Sequence, residues 1–199
     1  MYHPLTYLHM IVDINYNPYG TARYAGQRMT KEAFLRWESD DNYVYEFNDG
    51  VLEPTTSMRQ DENQLLSAIE NSFFQTRAFR DGGRLRAEMD VWLTDTQQRR
   101  PDVSYYTAAQ QQQMATSGRV IPPFVVEFGS ITDQEAVSMQ KRHEYFAAGV
   151  QVVWWVFPIY REVYVYTSPT SITICTGDDV LSAAPALPEL RLTANQLFG

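Results

Sequence analysis

Two carboxylates and one amine in this chain have the types and order that metal-assisted phosphodiester chemistry uses. Asp102 follows Pro101 at the head of an apolar segment, and Glu127 interrupts the run opened by Phe124-Val125-Val126. Lys141 comes later, inside a stretch of helical spacing. A carboxylate in a buried strand is costly unless it is paired or binds a cation. Two such groups can fix a divalent ion that activates water and stabilises charge on a phosphate. A nearby lysine can orient that water and neutralise the developing charge. The same residues have ordinary uses as well: an Asp after Pro in a turn, a Lys on a solvated helix face. Glu46, in Val44-Tyr45-Glu46-Phe47, suits a structural ion pair, and His143 reads as core edge or surface.

Positioning these groups takes a strand, a turn and a helix in succession. The aromatic and β-branched residues of 124–128 read as a buried strand, closed by Gly129-Ser130. Asp133 to Ala148 reads as a helix, with Ala136, Met139, His143 and Phe146 at three- and four-residue spacing and Gly149 as its stop. Lys141 falls two turns into this helix and Tyr145 one turn beyond. Adjacent strands of one sheet would bring Asp102 and Glu127 to the same place.

Upstream, Thr30 caps a short helix that carries Phe34, Leu35 and Trp37, and Asn48-Asp49-Gly50 marks a hairpin between two strands. Leu65, Ile69 and Phe73 predict a helix over 61–79. The segment 85–94 alternates: Leu85, Ala87, Met89, Val91 and Leu93 face one way, and Arg86, Glu88 and Asp90 the other. Glu88 is therefore a possible auxiliary residue on the charged face. Gln110 to Gln113 belong to a helix-to-loop connection. Three strands follow the central helix, in 151–157, 162–167 and 171–176, and the tail reads as an irregular segment closed by a short helix. With no repeat and no linker, a single α+β domain (residues 29–199) behind an N-terminal extension (1–28) is the simplest organisation.

Composition narrows the chemistry. The 44% hydrophobic and 14% aromatic content is that of a folded globular chain. No apolar run approaches the roughly 18–20 residues that span a bilayer, and the N-terminal residues do not form a signal peptide, so a cytoplasmic location is expected. Cys175 is the single cysteine, which excludes an internal disulfide and a multi-cysteine zinc site. His3, His9 and His143 lack metal-ligand spacing, so any ion would be held by oxygen, as magnesium, manganese and calcium are. The net charge of −8 opposes strong non-specific binding to nucleic acid. That charge is uneven, with six arginines against four acids between Arg77 and Arg100.

The blocks MTKEAFLRWESDDNYVYEFNDGVL, RRPDVSYY, PFVVEFGS, QKRHEYFAAGVQVVWWVFP and LPELRLTANQLF, in this order from Met29 to Phe198, resemble a family of small restriction-endonuclease-like proteins. That family was long carried as a domain of unknown function and is placed in the PD-(D/E)XK nuclease superfamily. The resemblance implies a central mixed β-sheet flanked by helices and a Mg²⁺ (or Mn²⁺) site acting on DNA. It makes Glu46, Asp102, Glu127 and Lys141 the catalytic set, with Asp102 and Glu127 as metal ligands. Residue 129 is Gly, so Lys141 would replace the usual lysine two positions after the second acid. Two further departures are the missing histidine where the helix opens near Asp61-Glu62, and Phe157 where the family has an Asp before the proline.

Two functions from different classes follow: a metal-dependent endonuclease hydrolysing DNA, or a nuclease-like fold kept as a binding or regulatory module without catalysis. Strands near 85–94, 102–106, 124–128 and 151–157 are expected in one sheet with the 133–148 helix packed on it. Trp154, Trp155, Tyr160, Tyr164 and Tyr166 give the C-terminal strands aromatic surface of the kind enriched at interfaces, which suggests a homodimer.

Overall fold

The computed structural model describes residues 22–116, 119–129 and 135–199. Most of the expected N-terminal extension, and the first two residues of the helix expected from Asp133, lie outside them. Among the described residues no helix is long and apolar enough to cross a membrane.

The first strands are made by local turn chemistry. Strands β1 (Val44–Asn48) and β2 (Val51–Thr55) pair antiparallel, with Asn48 opposite Val51. Only Asp49 and Gly50 lie between them, both at positive φ (48° and 87°), the mirror-image turn that matches strand twist. Thr30 caps α1 (Lys31–Phe34) by accepting from the Ala33 N–H, as expected, but the helix is a single turn. The periodicity over 61–79 resolves into α2 (Gln60–Phe73), with Leu65, Ile69 and Phe73 buried, and a short α3 (Arg77–Arg80). The break comes where Thr76 caps the second helix through the Phe79 N–H.

The alternating segment 85–94 is not one strand. It is divided into β3 (Arg84–Ala87) and β4 (Val91–Trp92), which belong to different sheets. The division falls at Glu88, a non-glycine residue at φ 47°. Its N–H donates to the Asp102 carbonyl at 3.0 Å, and its carboxylate accepts from the Met58 N–H at 2.9 Å. Period-two alternation survives such a kink, which is why the sequence does not reveal it.

The remaining strands are β5 (Gln97–Arg99), β6 (Val103–Tyr106), β7 (Phe124–Phe128), β8 (Val152–Phe157), β9 (Glu162–Tyr166), β10 (Ile172–Cys175), β11 (Val180–Ala183) and β12 (Leu187–Thr193). They are joined by α4 (Ala108–Met114), α5 (Glu135–Ala148) and a closing α6 (Ala194–Phe198). The main sheet runs β10-β9-β8-β7-β6-β3 and is mixed: β7 and β8 are parallel across the α5 crossover, and the other pairs are antiparallel. A smaller sheet has the order β2-β1-β5-β4, and β11 pairs with β12 in a hairpin where an irregular tail was expected. The fold is thus α+β, a central mixed sheet flanked by helices.

Strand alternation sorts the core into two layers. Val103, Tyr105, Phe124, Val126, Trp154 and Val156 face α2, α6 and the β11–β12 hairpin. Val125, Val153, Trp155 and Tyr145 form the core on the α5 side. Glu127, in step with Val125, is therefore turned toward α5.

The hairpin turn generates one expectation. A side chain at residue 50 must adopt the left-handed region, and its Cβ would stand 3.4 Å from the Met29 carbonyl oxygen. Gly50→Ala should lower unfolding free energy by roughly 1–2 kcal/mol in urea titration, with the m-value unchanged.

Candidate active site

Each side chain of the expected set is delivered by a different element. On β1, Tyr45 and Phe47 enter an aromatic cluster, so Glu46 points the other way. On the main sheet Ser104 pairs with Val125 and Val103 with Val126. Continuing that antiparallel register by one residue sets Asp102 opposite Glu127, on the α5 side. Residues opposite each other in such a ladder hold their Cβ atoms roughly 4.5–5.5 Å apart. Glu127 is 6% exposed and Glu46 2% exposed.

Helix α5 closes the group, but not with the face its apolar spacing suggested. Of the apolar-spaced residues Ala136, Met139 and His143 are exposed and Phe146 packs against the core, whereas Lys141, Glu144 and Tyr145 face the carboxylates. The surface beneath the helix is charged at this point, and a polar stripe fits it better than an apolar one. Lys141 Nζ lies 2.9 Å from Glu46 Oε1 and 3.8 Å from Glu127 Oε1. The Tyr145 hydroxyl donates to Glu127 Oε1.

Arg99 stands at the centre, with a side chain wholly removed from solvent. Its guanidinium pairs with Glu46 (2.9 Å), with Glu144 (2.7 Å) and with Glu53 on β2. The Arg100 backbone N–H also donates to Glu46, at Oε1 and 2.8 Å. Glu46 is thus held by two cations and a peptide N–H. Burial alone would raise its carboxyl; Lys141 and then Arg99 outweigh burial and keep it below the usual range.

Asp102 and Glu127 have the opposite balance. Asp102 is raised well above its ordinary value, first by burial and then by the charge of Glu127, which outweigh one N–H from Phe128 at 2.6 Å and the charge of Lys141. Glu127 is raised by burial and by Glu46, although Lys141 and Tyr145 pull it down. Tyr145 is pushed up by burial and by Glu127, which keeps it a hydroxyl donor. Five carboxylates (Glu46, Glu53, Asp102, Glu127, Glu144) share two fixed cations. The cluster is short of positive charge where Asp102 meets Glu127.

That shortage decides how a divalent ion fits. Among the described residues no group of three or more Asp, Glu, His or Cys side chains could enclose one. Asp102 and Glu127 suit the kind of ion that takes one or two carboxylates and completes its shell with water and phosphate oxygens, as Mg²⁺ does. Asp102 Oδ2 and Glu127 Oε1 carry the internal hydrogen bonds, so Oδ1 and Oε2 are the atoms left to act as ligands. Glu88 stands at the division between β3 and β4, where one of its carboxylate oxygens accepts from the Met58 N–H.

Residue 129 explains why the lysine comes from a helix. A Cβ there would lie 2.5 Å from Phe157 Cε1 and 3.1 Å from Trp155 Cδ1. The aromatic ring at 157 fills the space a side chain at 129 would need, and the amine beside Glu46 and Glu127 is that of Lys141 on α5. Arg99, Glu53, Glu144 and Tyr145 were not assigned to the site from sequence. Arg99 had one signal, its place in Arg99-Arg100-Pro101-Asp102, and Tyr145 its place one turn beyond Lys141. Glu53 and Glu144 had none.

The two classes of carboxylate are expected to respond oppositely to neutralisation. Glu46→Gln leaves Arg99 and Lys141 buried with less counter-charge and should cost about 3 kcal/mol or more by chemical denaturation. Asp102→Asn removes a repulsion, so in chelator it should melt at the parent's temperature or higher. The pH dependence follows from the sign. A carboxyl raised in the folded state favours folding below its unfolded value, ordinarily 3.8, and that contribution is lost as pH climbs through the raised value. As pH rises above the ordinary carboxyl range in chelator, the parent's melting temperature should fall relative to that of Asp102→Asn.

Comparison with known proteins bears on the fold and the family. The crystal structure of a putative nuclease from Anabaena variabilis superposes with a TM-score of 0.72, covering 85% of this chain and 97% of that one at 16% sequence identity. At that identity the likeness is one of fold. No curated protein matches the chain. The model of the Uma2 family, described as putative restriction endonuclease, matches residues 31–195. With that match spanning most of its length, the chain belongs to the Uma2 family.

Proposed function

We propose that this protein is a metal-dependent endonuclease that hydrolyses DNA phosphodiester bonds. Family and fold support a nuclease function, and they point to nucleic acid as the substrate. The observation that carries the finer reading is the buried pair Asp102 and Glu127, left short of positive charge beneath Lys141. Asp102 and Glu127 would hold Mg²⁺ or Mn²⁺. A bound ion of this kind lowers the pKa of its water and stabilises charge on the phosphoryl oxygens.

The chain's own groups have separable tasks. Lys141, held by Glu46 at 2.9 Å, keeps its ammonium charged despite burial and can neutralise the negative charge that builds on phosphate. Glu46 and Arg99 position that lysine and do not touch substrate. Tyr145 orients Glu127 by donating to one of its oxygens, which directs the other outward. The chain's acidity makes attraction to DNA depend on local arginines and on the ion, so cleavage should fall steeply with salt.

The second reading, a nuclease fold that binds without cutting, draws on the net charge of −8 and on Phe157 in place of an acid. Metal and cleavage assays separate the two. Mg²⁺ or Mn²⁺ should raise the parent's stability, by about 2.7 kcal/mol at a hundredfold excess over Kd, and Asp102→Asn should lose most of that gain. Lys141→Ala should keep the metal response yet lose plasmid nicking. A parent that neither responds to metal nor nicks DNA refutes the enzyme.

A cytoplasmic homodimer belongs to the same proposal, with an altered motive. Trp154, Trp155 and Tyr166 are buried in the core, Tyr164 packs against it, and only Tyr160 is exposed. Among the described residues, the exposed apolar side chains of the β8–β10 region are Ile159 and Tyr160 with Ile172 and Ile174 on edge strand β10. Light scattering at micromolar concentration should give a dimeric mass, and Ile174→Lys a monomeric one.

A further inference from the structure

Strand β5 has two faces, and the site uses one. Arg99 points into the carboxylate cluster; Gln98 and Arg100, on either side of it, line a separate cleft of about 430 Å³. That size is in the range of pockets that take small organic groups. Its walls are largely aromatic (Phe34, Trp37, Tyr43, Tyr45 and Trp92), with Glu38 and Asp90 as the acids of the lining. The rings brace each other, Trp37 edge-on to Tyr45 with centroids 5.3 Å apart and Phe34 stacked on Phe47 at 4.9 Å. Lys31, outside the cleft, lies over Trp92 with its Nζ 4.0 Å from the ring centre.

One polar group in this aromatic wall lacks a partner. Gln98 is 3% exposed, and its Oε1 has no hydrogen-bond partner among the described residues. A buried carboxamide oxygen without a donor costs free energy unless something completes it. At the cleft's mouth Arg100 and Asp90 form an ion pair at 2.6 Å, and the Arg100 backbone N–H is bonded to Glu46 of the site. One residue thus borders both the cleft and the carboxylate cluster.

We infer that this cleft receives a single unpaired nucleobase of the substrate strand. A base taken out of its stack is held by aromatic side chains and read by hydrogen bonds to its edge. Here the rings of Trp37 and Trp92 supply the apolar contact, and the carboxamide of Gln98 meets an exocyclic or ring N–H. A carboxamide pairs best with adenine, which offers a donor and an acceptor side by side. The choice of a nucleotide over another flat heterocycle rests on the nuclease reading. It makes the preferred substrate single-stranded or locally opened DNA.

The test uses the full chain in chelator, so that no metal-dependent cleavage occurs. The probe is a short single-stranded oligonucleotide carrying 2-aminopurine, compared with its duplex. The proposal expects quenching of the probe, with the single strand bound at least about tenfold tighter than the duplex. Gln98→Leu, which keeps the side chain's size, should weaken binding about tenfold and leave the melting temperature within a few degrees. Trp37→Ala should abolish the quench. Equal binding of single strand and duplex, or a Gln98→Leu protein that binds as the parent does, overturns the proposal. Nicking by a protein that shows no quench removes the cleft and leaves the nuclease; quench without nicking in Mg²⁺ does the reverse.

Discussion

The pairing of buried Arg99 with Glu46, Glu53 and Glu144 is the contact on which the rest of the structure depends. It ties β5 to the β1–β2 hairpin and both to α5, so it sets the small sheet and the crossover helix against each other. A guanidinium suits this task because its planar fork presents donors in fixed directions and stays charged when buried. A lysine there would offer a point charge to three carboxylates and could not hold them in one geometry. The network also makes room for Lys141. With Glu46 drawn to Arg99 on one oxygen, its other oxygen is free to take the lysine amine and the Arg100 N–H.

Much of this was legible in the chain because it is written locally. The apolar runs of β7 and β8, the turn at Asp49-Gly50 and the apolar spacing of α2 report their own conformations. The meeting of Asp102 with Glu127 follows from strand register, so a sequence that reveals both strands reveals the pair. What stayed hidden is what depends on distant partners. The inward face of α5 looked polar, hence solvated, since nothing near it in sequence announces that Arg99 and Glu46 lie beneath. Glu53 and Glu144 are ordinary acids until Arg99 is placed between them. The division at Glu88 was equally invisible, because a left-handed residue leaves the hydrophobic alternation on either side intact.

The cluster shows how one set of like residues can be given unlike roles. Glu46 and Asp102 are both buried acids near Lys141, yet one is saturated with donors and the other has a single N–H and a hostile neighbour. The first is held ionised by the protein itself. The second is pushed toward its neutral form by burial and by the charge of Glu127. This separation arises from backbone placement: Glu46 sits where β5 turns toward the main sheet and meets the Arg100 N–H, whereas Asp102 is on the neighbouring strand's end and meets Glu127.

Gly129 and Phe157 carry a consequence for how such a site can change over generations. Restoring an amine to strand position 129 requires the ring at 157 to shrink first, since the two would occupy the same volume. Shrinking the ring alone opens a hole in the α5-side core, at a cost in stability with no gain in chemistry. The two positions are therefore coupled, and neither substitution is favourable without the other. With the ring of Phe157 seated against Gly129, the amine at this corner is the one on the helix, where Lys141 lies beside Glu46 and Glu127.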